Sequence, residues 1–177
     1  GFVPFYPGPG LGGHCIPIDP QYLAWKMREL DYEPRMIEAA ATVNYEMPAY
    51  VVGRVRTALA KVGRQLAGAS VLVIGIAYKA DVADTRESPA LDVISLLETA
   101  GVRVIYHDPH TPTVTIVDKE HRSVSLNPAA LESADAVLIM AGHAACDWVM
   151  VLEHARLIID TRNVLRDAGA LDKVIRR

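Results

Sequence analysis

Cysteine is scarce in this sequence. Cys15 and Cys146 are the only two in 177 residues, which rules out a disulfide framework and fits a reducing, cytoplasmic compartment. Charge of one sign is also lacking. The net charge of −3 gives no basic surface for nucleic acid or another polyanion. No apolar run is long enough to span a membrane, and the aromatic, glycine-rich start has no basic segment of the kind that opens a signal peptide. The six histidines show neither C-x-x-C nor H-E-x-x-H spacing, so no metal site is expected. There is no internal repeat and no low-complexity tract. There is no initiator Met either, and the chain opens inside a motif, as the C-terminal part of a longer protein would.

What is present is a dense stretch, Gly8-Pro-Gly-Leu-Gly-Gly-His-Cys-Ile-Pro-Ile-Asp-Pro20. Asp19 is expected to cap a helix and Pro20 to take its first position, where a missing N–H costs nothing. Residues 21–30 then read as helical, with Leu23, Met27 and Leu30 on one side. Cys15 would sit close to that helix N-terminus, where partial positive charge favours an anion. The glycines leave bare backbone that a ligand can approach closely. A free cysteine by itself is more often a small buried hydrophobe, but the glycines and prolines around this one point away from packing. They point toward a sulfur nucleophile acting on a carbonyl. Gly8, Gly10 and Gly13 formally match G-x-G-x-x-G, yet they follow Pro7 rather than a strand and enclose Pro9, so they are not read as a dinucleotide fingerprint.

A long helical pattern runs over residues 35–62, with Ile37, Ala41, Asn44, Met47, Val51, Val55, Ala58 and Val62 at helical spacing. This is a rod of roughly 40 Å, apolar on more than one side, which must be covered by neighbours. Pro48 should kink it or divide it. The rod reads either as a core helix or as a domain connector and dimer interface, and the second reading is preferred. Asn44 on its apolar stripe reads either as a satisfied core amide hydrogen-bonded to nearby backbone or as a contact to cofactor or substrate near Cys15, and the first reading is preferred.

Beyond residue 66 the pattern changes to alternating strands and helices. Strands are expected at 70–78, 102–106, 136–140 and 157–160, with an irregular one within 114–124. Helices are expected at 90–100, capped by Ser88, and at 128–133, capped by Asn127, with a helical turn or two at 149–154. This is the pattern of a parallel α/β sheet, which binds ligands beyond the carboxyl ends of its strands. Three polar clusters fall at such ends: Tyr78-Lys79, His107-Asp108 and Thr161-Arg162.

The segment from Phe5 to Pro20 closely resembles the active-site cysteine segment of the UDP-glucose/GDP-mannose dehydrogenase family of nucleotide-sugar 6-dehydrogenases. His14 and Ile18 stand where the UDP-glucose and GDP-mannose enzymes usually have Ser and Lys, and this form resembles the branch acting on UDP-N-acetylhexosamines. The run from Tyr78 to Pro89 resembles the family's strand-end loop. The resemblance implies a Rossmann-like parallel-sheet UDP-binding domain at 67–177. Residues 1–66 would hold the cysteine loop and the long central helix through which a homodimer forms. An NAD-binding domain would precede this chain, and the chain alone would not turn over substrate.

The implied activity is NAD-dependent oxidation of a UDP-N-acetyl sugar to its uronic acid, serving polysaccharide biosynthesis. Cys15 would be the nucleophile and Asp19 would position the hydrolytic water. Gly10, Gly12 and Gly13 would pack on the hexose. His14 would touch the acetamido group, act as a base or be structural. Tyr78, Lys79 and Arg162 would bind UDP and Arg86 the cofactor NAD. Asp108 matches an acidic strand-end position without a role, and Cys146 reads as inert packing. Two alternatives stand beside this reading: a non-catalytic UDP-sugar-binding or dimerisation module, and a cysteine hydrolase pairing Cys15 with His14. The second is disfavoured because adjacent loop residues rarely meet side chain to side chain.

Overall fold

The computed structural model describes residues 6–169 and 171–176. Phe5, the first residue of the cysteine motif, lies outside them. The first helix, α1 (Asp19–Arg28), starts one residue earlier than the capping pattern predicts. Its N-cap position is Ile18 and no side chain caps it. Instead the Cys15 carbonyl accepts from Ile18 N (3.1 Å) and Asp19 N (2.8 Å). The turn at residues 15–18 thus feeds directly into the helix, and the Asp19 carboxylate is exposed rather than committed to a cap. The expected stripe is not buried either. Ala24 is the buried residue of α1, whereas Leu23 and Leu30 are 54% and 71% exposed.

The long pattern forms one continuous helix, α2 (Arg35–Lys61), with Pro48 inside it. Burial is confined to its second half: Pro48, Val51, Val52, Val55, Ala58 and Leu59. That half packs on α3 (Pro89–Thr99), whose N-cap Ser88 accepts from Ala90 N through its hydroxyl.

Five strands form a parallel sheet: β1 (Ser70–Ile74), β2 (Arg103–His107), β5 (Ala136–Ile139), β6 (Ile158–Asp160) and β7 (Val174–Ile175), in the order β2-β1-β5-β6-β7. The irregular strand expected between residues 114 and 124 is a separate antiparallel hairpin, β3 (Thr113–Ile116) with β4 (Lys119–Arg122). Val117 and Asp118 turn it with φ of 44° and 64°, the hand that matches strand twist. Two short helices, α4 (Pro128–Ser133) and α5 (Trp148–His154), are capped by the side chains of Asn127 and Asp147. β7 is too short and too weakly patterned to show in the sequence.

The sheet is covered on both faces, which is why its strands read as continuous apolar runs. Successive residues of β1 point to opposite sides. Val71 and Val73 join the second half of α2 and α3, while Leu72 and Ile74 join Leu131 of α4 and Val151 of α5. Each fully buried aliphatic side chain stabilises the fold by about 1.5–3 kcal/mol.

β1 is shorter than its apolar run because Gly75 leaves the strand with φ of 79°. A Cβ there would lie 2.6 Å from both the Cβ and the carbonyl oxygen of Ala141. This turn sends residues 76–81 outward over the carboxyl ends of the strands. Gly75→Ala combines left-handed strain with a backbone clash and should destabilise the fold by roughly 2–4 kcal/mol. Urea denaturation measures this, and a variant as stable as wild type would show the turn to be adaptable.

Candidate functional site

β1 lies between β2 and β5, so connections leave it in opposite directions and open a crevice at its carboxyl end. The turn after β1 carries Tyr78 and Lys79. Lys79 is exposed, with its ammonium 5.4 Å from the centroid of the half-buried Tyr78 ring. Arg162 follows β6. Its Nε donates to the Met140 carbonyl (2.8 Å) and its Nη2 to the Tyr78 carbonyl (3.3 Å), so its guanidinium ties the strand ends together. Asp160, 1% exposed, shapes this corner by accepting from Arg162 N (3.0 Å) and Leu165 N (2.9 Å).

The glycine loop lies against this crevice. Gly13 N donates to the Arg86 carbonyl at 2.9 Å. A Cβ on Gly12 would fall 2.5 Å from the Glu87 carbonyl oxygen and 2.7 Å from Tyr78 Cβ, a contact that only glycine allows. Gly10 faces Pro89, and Gly8 faces the Arg162 guanidinium. Asn44 of α2 holds the loop from behind. Its Oδ1 accepts from Leu11 N (2.6 Å) and its Nδ2 donates to the Leu11 carbonyl (3.4 Å). It is therefore an amide satisfied by backbone, as preferred from the sequence, but half-buried rather than in the core, and it anchors the glycine loop.

Cys15 and His14 are exposed beyond this docked segment. Arg86 is also exposed and donates through Nε (3.0 Å) and Nη2 (2.5 Å) to Asp84. The guanidinium's hydrogen bond brings the Asp84 carboxyl down to about 2. Arg86 in turn is raised, first by its hydrogen bond to Asp84 and then by that residue's charge, with smaller contributions from Tyr78 and Cys15. Cys15, Tyr78 and Arg86 thus share one electrostatic neighbourhood. A cleft of about 690 Å³ runs between α2, the glycine loop and the end of β6. It is lined by Gly8, Gly10, Asn44, Tyr50, Arg54 and Arg162 among others, but not by Cys15, Tyr78 or Lys79.

Sequence reasoning noted Asp108 without a role and did not single out His143. Asp108 is 3% exposed and His143 fully buried, and they bond at 3.1 Å. Burial pushes the Asp108 carboxyl up. Hydrogen bonds from His143 and from the N–H groups of Ile76 and His110 outweigh that and bring it to about 2. The only available signal was its place after a strand, in His107-Asp108-Pro109. Asp81, His110 and His143 bring ligand-type atoms within 4.8 Å of one another. Both His143 nitrogens are already engaged, by Asp81 N (3.0 Å) and by Asp108, so the cluster is a hydrogen-bond network rather than a metal centre.

Residues 72–167 match the model of the UDP-glucose/GDP-mannose dehydrogenase family, UDP binding domain, and residues 1–46 match the central domain of the same family. The chain belongs to the UDP-glucose/GDP-mannose dehydrogenase family. It is 33% identical over 167 residues to the UDP-N-acetyl-D-mannosamine dehydrogenase of Methanococcus maripaludis, covering 90% of this chain and 36% of that protein. It is 32% identical over 142 residues to the UDP-N-acetyl-D-glucosamine 6-dehydrogenase of Salmonella typhi, covering 80% of this chain and 33% of that protein. The solved structure of the UDP-D-ManNAc dehydrogenase from Pyrococcus horikoshii superposes with a TM-score of 0.79 at 29% identity, over 98% of this chain and 39% of that one. The chain therefore spans little more than a third of the length of these relatives. The glycine loop and α1 fall in the family's central domain, and Tyr78, Lys79, Arg86 and Arg162 fall in its UDP-binding domain.

The two thiols of this family member differ sharply. Cys15 is exposed, whereas burial, together with Asp108 and Asp81, pushes the Cys146 thiol up to about 11. Iodoacetamide at pH 8 should therefore add one carbamidomethyl group to the native protein, at Cys15, and a second only in denaturant. Peptide mapping reads this, and modification of Cys146 in the native state would contradict the burial.

Proposed function

We propose that this chain is the UDP-binding and cysteine-bearing part of a UDP-N-acetylhexosamine 6-dehydrogenase, which oxidises the sugar C6 alcohol to a carboxylate. The observation that carries the reading is the 2.9 Å bond from Gly13 N to the Arg86 carbonyl, which joins the cysteine loop to the strand-end loop as one site. Lys79 supplies charge to the diphosphate, Tyr78 a ring face to the nucleotide, and Arg162 holds the strand ends beneath them. Gly10, Gly12 and Gly13 present backbone to the hexose, with His14 beside its acetamido group.

NAD would supply the acceptor for the two hydrides released. The Gly8–Gly13 stretch is not a dinucleotide cradle, since it packs against Arg162, Pro89 and Tyr78. Arg86 fits as an outer contact to such a cofactor, with its side chain 63% exposed and its charge secured by Asp84.

The chain's own chemistry is that of Cys15. Its thiolate adds to the C6 aldehyde carbon. A C–S bond forms, and the carbonyl π pair moves to oxygen, which takes a proton. Once the second hydride has left C6 and the hydroxyl proton has been released to solvent, a thioester remains. Water adds to it, the C–S bond breaks, and the electron pair returns to sulfur as the carboxylic acid departs. Thiolate suits both its attack and its departure. Asp19 sits one helical turn from Cys15, exposed and free of a capping bond, and would orient that water. The apolar, exposed first half of α2, with Met36 at 83% and Val43 at 59%, supports a homodimer through this helix.

In the whole protein, UDP-N-acetylglucosamine or UDP-N-acetylmannosamine should yield uronate with two NADH per sugar. Cys15→Ser should lower the rate by on the order of a thousandfold or more. Lys79→Ala should raise KM for the sugar nucleotide about tenfold while leaving the thiol reactive. Uronate formation by Cys15→Ser at the wild-type rate would sink the covalent role of Cys15, and absence of any uronate from the wild-type whole protein would leave a UDP-sugar-binding module.

A further inference from the structure

Tyr78 and Lys79 stand on a short segment, residues 76–81, that leaves β1 without secondary structure of its own. Two buried side chains hold its two ends. Asp108 Oδ2 accepts from Ile76 N (2.8 Å) and Ala77 N (3.3 Å) at the near end. Its Oδ1 accepts from His110 N (2.9 Å) and Thr111 N (3.0 Å), which fixes the carboxylate itself to the end of β2. At the far end His143 Nδ1 accepts from Asp81 N at 3.0 Å. A ring nitrogen that accepts carries no proton, so in the neutral imidazole Nε2 bears it and donates to Asp108 Oδ2 at 3.1 Å. The two side chains therefore form one continuous bridge from Ile76 to Asp81.

Asp81 needs such a hold. Its φ is 60°, a left-handed conformation that costs a non-glycine residue energy unless its surroundings enforce it. Its side chain adds a third restraint by accepting from Ala144 N at 2.7 Å. The bridge also occupies the backbone N–H groups that follow the first strand at the point where strand order reverses. In open α/β sheets that crevice is where ligands bind, and free N–H groups there attract anions. Here a carboxylate of the chain already fills them. A nucleotide diphosphate is thereby displaced outward, to the loop that the bridge holds rigid.

We propose that Asp108 and His143 are positioning residues for nucleotide binding. They touch no ligand themselves, and they set the place of Tyr78 and Lys79 while blocking the inner anion position. This rests on the reading of Lys79 as a UDP contact. Loss of His143 frees Asp81 N–H and removes one donor from a buried carboxylate, so the loop loses both its shape and its affinity.

The test is UDP binding by titration calorimetry on the whole protein, with backbone hydrogen exchange over residues 76–81. His143→Leu should weaken UDP binding about tenfold or more and speed exchange at Asp81. His143→Gln, whose amide both accepts and donates, should return affinity to within about threefold of wild type. Leu131→Ala, a buried change on α4, should lower thermal stability while leaving UDP affinity unchanged. Asp81→Ala, at an exposed side chain, should release Ala144 N and weaken UDP binding several-fold even where His143→Leu does not fold. Wild-type affinity in both His143→Leu and Asp81→Ala, or equal losses in His143→Leu and Leu131→Ala, would overturn the inference. If Lys79→Ala binds UDP as wild type does, the underlying reading fails and this one with it. If Lys79→Ala weakens binding and the His143 and Asp81 variants do not, only the positioning role fails.

Discussion

Everything at the crevice beyond β1 depends on how closely two pieces of irregular backbone approach each other. Gly12 leaves no room for a Cβ between itself and Glu87, and Gly13 bonds to the Arg86 carbonyl. Neither loop has internal regularity to hold its shape. The cysteine loop is gripped by Asn44 from α2 and by the strand-end loop from the other side, and the strand-end loop is gripped by the bridge beneath it. An exposed thiol at the end of such a chain of contacts is as well placed as the weakest of them allows.

Asp108 occupies an unusual place in that chain. A buried carboxylate is costly unless it is fully hydrogen-bonded, and this one accepts from four backbone N–H groups and one imidazole. Its energy is spent on the carboxyl ends of β1, β2 and the segment after β5, the same ends that open the crevice. The sheet core would hold the strands together without it, since Val71, Leu72, Val73 and Ile74 are fully buried. What the core cannot do is decide where the chain goes once it leaves the sheet. Ile76 and Ala77 still pack in the core, but apolar packing is non-directional, and beyond them hydrogen-bond geometry fixes the path to Asp81.

This division explains what was legible in the sequence. Alternating apolar runs and capping residues revealed the parallel sheet, α3 with Ser88 and α4 with Asn127, because burial and local capping leave a periodic trace. The length of α2 was legible for the same reason. The hairpin of β3 and β4 read only as an irregular strand, because its turn, Val117-Asp118, lacks the glycine or asparagine that usually signals one. Asp19 read as a helix cap from its residue type, and the Cys15 carbonyl took over by closing a turn that no side-chain pattern encodes. The bridge was hidden because Asp108 and His143 lie 35 residues apart: Asp108 showed only as a polar residue at a strand end, and nothing local distinguished His143 from an ordinary loop residue. Asn44 was ambiguous because its partner is backbone 33 positions away.

The two levels of restraint also carry different risks. Substitution in the glycine loop acts at once, because the close approach is steric and leaves no slack. Weakening the bridge acts at a distance, through a residue whose left-handed backbone relaxes when its partners go. On the proposed reading, the sulfur must meet a carbon whose position is set by a diphosphate held at Lys79. The error in that meeting is then the sum of the errors in both loops. A loop held only by exposed ion pairs such as Arg86–Asp84 would wander, since such pairs contribute little. The buried bridge is the element able to keep that sum small, which gives a reason for placing an ionised carboxylate where an apolar residue would pack at lower cost.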